Sequence, residues 1–335
     1  MEKKVFPNCE RDARMVEIYK DFIPKKVFDV HTHAYCAEDI PHFLGPYGVF
    51  QRERSGYREY LEDMRFFLPG AEEIRINMMP MLDKVMNDLE NGKREHANQF
   101  VYDELSRNPG NMGAPYILPC DTEEDIARMI AHPGVRAIKV YCYGASPRED
   151  YDTCEISEFL PEAAWVVSAQ TGLPIVLHMM KPKALSDAEN LRYITTMAKR
   201  YPDARLILAH CARSFASWTV VESIDKLAGL DNIWFDMAAI CEPTPMAACI
   251  LRTAGERVMW ASDYPICMHR GKAFSLSNGF LWLTEQPLEK LGMEMGYLAG
   301  ENLLAFYETA KLLNLDQTQV NRIFYDNAMD LFGVK

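Results

Sequence analysis

Short apolar runs alternate along this chain with amphipathic stretches, and that alternation narrows the fold more than any other feature. The clear runs are KVFDVH (26–31), APYILPC (114–120), VRAIKVY (135–141), LPIVLHM (173–179), ARLILAH (204–210), NIWFDMA (232–238) and RVMWASD (257–263), with a weaker one at EIRINMMP (73–80). Between them lie helical patterns such as TEEDIARMIA and SDAENLRYITTMAKRY. Asp121 or Thr122, Ser157 and Ser186 are expected near helix starts, and Gly172 and Gly229 near helix ends. Near-continuous apolar strands separated by helices argue for a parallel sheet. His178 and His210 each close such a run and lie 32 residues apart, close to the ~30 residues per βα unit of an eight-unit barrel.

The expected fold is therefore α/β, a (β/α)8 TIM barrel in one domain over residues 1–335. The barrel core spans about 26–270. A long insertion at 34–72 follows the first strand, and a C-terminal extension at 271–335 is expected to be helical. An open doubly wound sheet is the rival. Its first turn is normally glycine-rich, whereas the turn here reads His-Thr-His.

A net charge of -12 with no basic run argues against nucleic acid or an anionic membrane as partner. No stretch approaches the ~18 apolar residues of a membrane span, and the N-terminus lacks the apolar core of a signal peptide. The nine cysteines are scattered without a C-x-x-C pair, which fits free thiols in the cytoplasm better than disulfides or a cysteine zinc site.

The polar residues at the strand ends carry the chemistry. His31 and His33 end the first run, His178, His210 and Asp263 end later ones. In an extended segment His31 and His33 face the same side. In a barrel all five converge on one mouth, where active sites are built. One strand-end histidine alone is ordinary; four with a carboxylate make a metal-site composition suited to zinc, iron or manganese. Arg213, three residues after His210, suits a bidentate grip on a substrate carboxylate. Lys139 lies within an apolar strand and needs a partner or a lowered pKa. Tyr141, Tyr143 and Trp218 are candidates for the mouth of the pocket.

Together, FDVHTHAY, PIVLHMM, LILAHCARSF, MWASDYP and FYDNAMDLFGV resemble the amidohydrolase superfamily, most closely the amidohydrolase-related branch that includes aminocarboxymuconate semialdehyde decarboxylase. The resemblance runs from about residue 26 to the C-terminus. It implies that His31, His33, His178 and Asp263 hold one divalent metal ion, with zinc the first choice and manganese or iron the others. It implies catalytic roles for His210 and Asp263 and substrate contacts from Arg213, Lys139 and Tyr141. Binuclear members use a lysine at the position of Lys139 to bridge two metals, whereas this branch commonly does not. Family members often carry glycines after the histidine that matches His210; this chain has Cys-Ala-Arg-Ser-Phe.

The reading that follows is a metal-dependent amidohydrolase-type hydrolase opening an amide or lactone of a small carboxylated or cyclic substrate through a metal-activated water. The alternative is a non-oxidative decarboxylase of a small, possibly aromatic, acid. A metal-free lactonase and a catalytically silent binding barrel stand behind them. The length of the insertion and the resemblance suggest a homodimer.

Overall fold

A computed structural model describes residues 5–43, 49–284 and 292–333. Eight strands form the barrel: Lys26–Cys36, Glu73–Pro80, Met112–Gly113, Ile138–Val140, Ile175–Leu177, Leu206–Leu208, Ile233–Asp236 and Val258–Met259, numbered here one to eight in that order. Strands one to three pair in parallel, as do strands four to eight. Backbone bridges Gly113↔Val135 and Tyr116↔Lys139 join the two groups. The circuit closes where Thr32 bridges Tyr264 and the His33 amide donates to the Tyr264 carbonyl at 2.6 Å.

Parallel register explains what fills the barrel. Residues paired across parallel strands point to the same side, so Lys139, Val176 and Ile207 share a face. Val176 and Ile207 belong to an inner apolar cluster with Phe28, Val30, Ala137 and Met259. Their neighbours Ile175, Leu177, Leu206 and Leu208 belong to the outer cluster. Lys139 is thereby carried to the barrel interior. The chain's end closes that interior: Phe332 stacks on Phe28 with ring centroids 5.3 Å apart.

Helix starts follow side-chain capping where an acceptor is in place. Thr122 accepts from the Asp125 amide at the start of Glu123–Met129. Asp187, rather than the expected Ser186, caps Ala188–Arg200. Ser157 lies in a short turn ahead of the helix Glu162–Thr171, whose end is Gly172 at φ +74°. No described helix is long and apolar enough to cross a membrane.

Three expectations need correction. The first strand runs on to Cys36: across a register shift between Asp29 and Thr32 it pairs with the second strand as far as Ala34, and Tyr35 and Cys36 then pair antiparallel with Ser55 and Arg54. The third strand is Met112–Gly113, not the apolar run 114–120, whose Tyr116 makes only an isolated bridge. The segment 271–335 is not helical throughout. Gly271–Leu276 and Gly279–Thr284 form an antiparallel hairpin, and the long helix Leu298–Leu313 follows. The hairpin turn is Ser277–Asn278, with Ser277 at φ +54°, followed by Gly279. Gly279 already pairs with Leu276, so the Asn-Gly pair at 278–279 straddles the end of the turn and does not form its centre.

Candidate active site

Strand ends set the floor of a cavity of about 260 Å³ at one mouth of the barrel. His31 and His33 lie on the first strand, His178 and His210 just beyond the fifth and sixth, and Asp263 beyond the eighth. All five line the cavity, and the described ligand atoms of His31, His33 and Asp263 lie within 4.8 Å of one another. Asp263 Oδ1 is 3.7 Å from His31 Nε2 and 3.3 Å from His33 Nε2. The Asp263 backbone is itself fixed, its amide donating to the His31 carbonyl at 3.0 Å.

The other nitrogen of each imidazole is held from behind. His31 Nδ1 lies 2.9 Å from Asp236 Oδ2, and His33 Nδ1 lies 3.0 Å from the Pro80 carbonyl. Both partners are acceptors, so the proton sits on Nδ1 and each Nε2 carries a lone pair toward Asp263. Three electron-pair donors then face one point with no proton between them. Such a set fits a divalent cation, and oriented Nδ1–H donors behind the ligands are how metal-binding histidines are usually held. His210 Nδ1 faces the Ala238 carbonyl at 2.8 Å, which leaves its Nε2 to accept from His178 Nδ1 at 2.9 Å. His178 therefore turns its Nδ1 to His210 rather than to Asp263, and its Nε2 keeps an electron pair.

Electrostatics match this arrangement. Burial pushes the His31 imidazole down to about 4, aided by the Lys139 charge and opposed by Asp236. Burial, with the neighbouring His210 and the charges of Arg213 and Lys139, pushes His178 well below its ordinary value. Both rings are neutral at neutral pH, the form that binds a metal. Burial raises the Asp263 carboxyl, but its histidine neighbours, His33 foremost, outweigh it and hold it below the carboxylate range. Lys139 is 1% exposed. Burial lowers its ammonium to about 8, and Asp263 and Asp236 limit the fall.

Asp236 was not singled out from the sequence, yet it is the hub of the floor. It is fully buried at the end of the seventh strand, holds His31, and accepts from the His210 amide at 2.8 Å and the Ala238 amide at 3.0 Å. The signal was present: Asp236 closes the apolar run Ile-Trp-Phe as Asp263 closes its own. Asp29, also buried, accepts from Tyr60 Oη and the Ser262 amide, both at 2.9 Å, and ties the first strand to the eighth.

The wall comes from loops. Tyr141 and Tyr143 line the cavity as expected. Phe43 from the insertion, Phe215, and Phe280 and Trp282 from the hairpin complete an aromatic wall that the sequence did not reveal. Phe215 packs against Phe280 and Trp282 with centroids 5.2 and 4.9 Å apart. The hairpin is pinned by Ser275, whose amide and hydroxyl both donate to Glu242 Oε2. Arg213 also lines the cavity, whereas Arg52, Arg54 and Arg270 pair elsewhere with Asp63, Glu104 and Asp12. Trp218 is not among the lining residues. Cys142 and Cys211 are buried and free, and do not line the cavity either.

A family model described as amidohydrolase matches residues 28–334. The chain belongs to the amidohydrolase family. No curated protein matches it. Among solved structures, 5-carboxyvanillate decarboxylase from Novosphingobium aromaticivorans, complexed with manganese and 4-hydroxy-3-methoxy-5-nitrobenzoic acid, is similar at a TM-score of 0.62 and 13% identity, covering 92% of this chain and 96% of that one. A zinc-bound amidohydrolase from Burkholderia multivorans gives 0.59 and 11%, covering 92% and 100%. A candidate 2-pyrone-4,6-dicarboxylic acid hydrolase from Pseudomonas putida gives 0.56 and 15%, covering 93% and 98%. These likenesses establish the barrel fold of the amidohydrolases for this chain.

Proposed function

We propose that this amidohydrolase-family protein is a metal-dependent enzyme acting by hydrolysis on a small carboxylated substrate. The observation that carries the reading is the convergence of His31 Nε2, His33 Nε2 and Asp263 Oδ1, each with an electron pair and none with a proton between them. His178 is the further donor, through Nε2. Zinc is the first choice of ion and manganese the second, the ions bound by two similar structures. Such an ion supplies Lewis-acid polarisation of a substrate oxygen.

The chain's own groups do the rest. Asp263, ionised and beside the metal position, takes a proton from attacking water at its carboxylate. His210, its tautomer fixed by Ala238, accepts from His178 Nδ1 and so orients the His178 ring. Arg213 and Lys139 draw an anionic substrate into the cavity, Tyr141 lines it, and the aromatic wall keeps bulk water out. The nine free thiols support a cytoplasmic setting.

The aromatic wall favours a second reading, decarboxylation of an aromatic acid. Similar structures named as decarboxylases support it, one of them complexed with 2,6-dihydroxybenzoate. Lys139, protonated below a pH of about 8, is then the group that gives a proton to carbon. Release of CO2 from hydroxylated benzoic acids, set against ring opening of lactones or amides, separates the two. Elemental analysis of protein purified without chelator tests what they share: about one equivalent of zinc or manganese is expected, lost in His31→Ala. Less than a tenth of an equivalent, unchanged in that variant, overturns it.

A further inference from the structure

Arg213 is a buried cation of the cavity with a spare donor. Its side chain is 9% exposed. Nη1 donates to the Lys181 carbonyl and Nη2 to Asp152 Oδ1, both at 2.9 Å. Nε is buried and has no partner among the described residues. Nε and Nη2 form the edge of a guanidinium that grips a carboxylate with two parallel bonds, and Asp152 uses only one of the two. Asp152 does not line the cavity. It sits on the short turn Tyr151–Thr153 with a side chain 53% exposed, its amide donating to Asp150 Oδ1. A one-point ion pair with an exposed partner is weak and screened. A ligand carboxylate reaching both Nε and Nη2 makes the stronger, two-point contact.

The cavity's lining adds a reason for such a ligand. Asp263 is its lining carboxylate, at the metal end, while Arg213 and Lys139 are its cations. A substrate group bound at the metal end leaves Arg213 to read what the substrate carries elsewhere.

Resting on the carboxylated-substrate reading above, we propose that Arg213 reads a second substrate carboxylate and that Asp152 is a built-in competitor for it, which a dicarboxylate must displace and which weakens dicarboxylate binding without affecting neutral ligands. A neutral or singly charged molecule of the same shape leaves Asp152 in place. A dicarboxylate exchanges the Asp152 contact for a two-point grip and frees Asp152 to solvent.

The test is calorimetric titration of the zinc-supplemented full chain with isophthalate, benzoate and benzamide, in the native protein, Asp152→Asn and Asp152→Glu. Removing a competitor of this kind is expected to tighten isophthalate by about two- to fivefold in Asp152→Asn. The gain shrinks in high salt, Asp152→Glu returns toward the native value, and benzamide is unchanged. Isophthalate binding that is unchanged or weaker in Asp152→Asn overturns the proposal. So does an equal gain for benzamide, which indicates reshaping rather than charge, and so does a lack of isophthalate binding in all three proteins. Zinc content of the same samples reports separately on the metal reading: zinc bound without an effect at Asp152 defeats this inference alone.

Discussion

His31 and Trp282 line the same cavity, yet His31 is 1% exposed and Trp282 is 37% exposed. The histidine is held by a carboxylate at 2.9 Å, on a strand paired along its length. The tryptophan is held by ring packing on Phe215, from a hairpin outside the barrel. Floor residues are over-determined by hydrogen bonds to buried groups; wall residues are placed by apolar contact. Precise ligand geometry needs the first kind of support, while a specificity wall tolerates the second and tends to sit on loops.

The largest effect that could break this contrast is expected at Asp236. Asp236→Asn keeps the shape but not the charge. If the amide oxygen keeps the His210 and Ala238 amides, its NH2 meets the His31 Nδ1 proton, donor against donor. The substitution is expected to weaken zinc binding by about ten- to a hundredfold, read by competition with a chelator, while the barrel still melts cooperatively. Unchanged zinc affinity would show that the floor is held by something other than Asp236.

The wall is expected to respond differently. Trp282→Ala removes one ring from the Phe215 stack and leaves the floor intact. Benzoate binding is expected to weaken by about three- to tenfold, the scale of an aromatic pair, with zinc affinity unaltered. Loss of zinc in this variant would dissolve the distinction between wall and floor.

The same contrast governs what could be read in the sequence. His31, His33, His178, His210 and Asp263 were legible because each ends an apolar run, and a barrel brings strand ends to one mouth. Local pattern and global topology coincide there. Arg213 was legible for its spacing from His210. Phe280 and Trp282 were not, because a loop residue's destination depends on how the loop folds back, and the helical tail expected over 271–335 covers the hairpin. Asp152 escaped for the same reason: a carboxylate in a polar turn reads as solvated until Arg213 arrives from 61 residues away. Asp236 was overlooked for a different one. It faces other protein groups rather than the open cavity, so it has no chemistry until His31 is placed beside it.

The smallest effect tests how the chain pays for its floor. After the sixth strand, His210, Cys211, Ala212 and Arg213 all adopt left-handed backbone, at φ +58°, +49°, +63° and +56°. None is glycine, and such a turn costs roughly 1–2 kcal/mol per residue for side chains with a Cβ. The turn delivers His210 to the floor and, one left-handed circuit later, Arg213 to the wall, so strain is stored where the two regions meet. Ala212 is the place to relieve it, since its loss is a single buried methyl, worth up to about 0.8 kcal/mol. With the ~0.5–1 kcal/mol of added unfolded-chain freedom set against that relief, Ala212→Gly is therefore expected to change stability by no more than about 1 kcal/mol in either direction. Ala305→Gly is the counterpart: Ala305 is equally buried but sits in the right-handed helix Leu298–Leu313. There the same added chain freedom, about 0.5–1 kcal/mol, and the lost methyl count in full, because no strain is relieved. Denaturant melts of the two variants should thus separate by more than about 1 kcal/mol, in favour of Ala212→Gly. Equal losses at both positions would mean that the turn after His210 is not strained, and that its left-handed path needs no explanation in function.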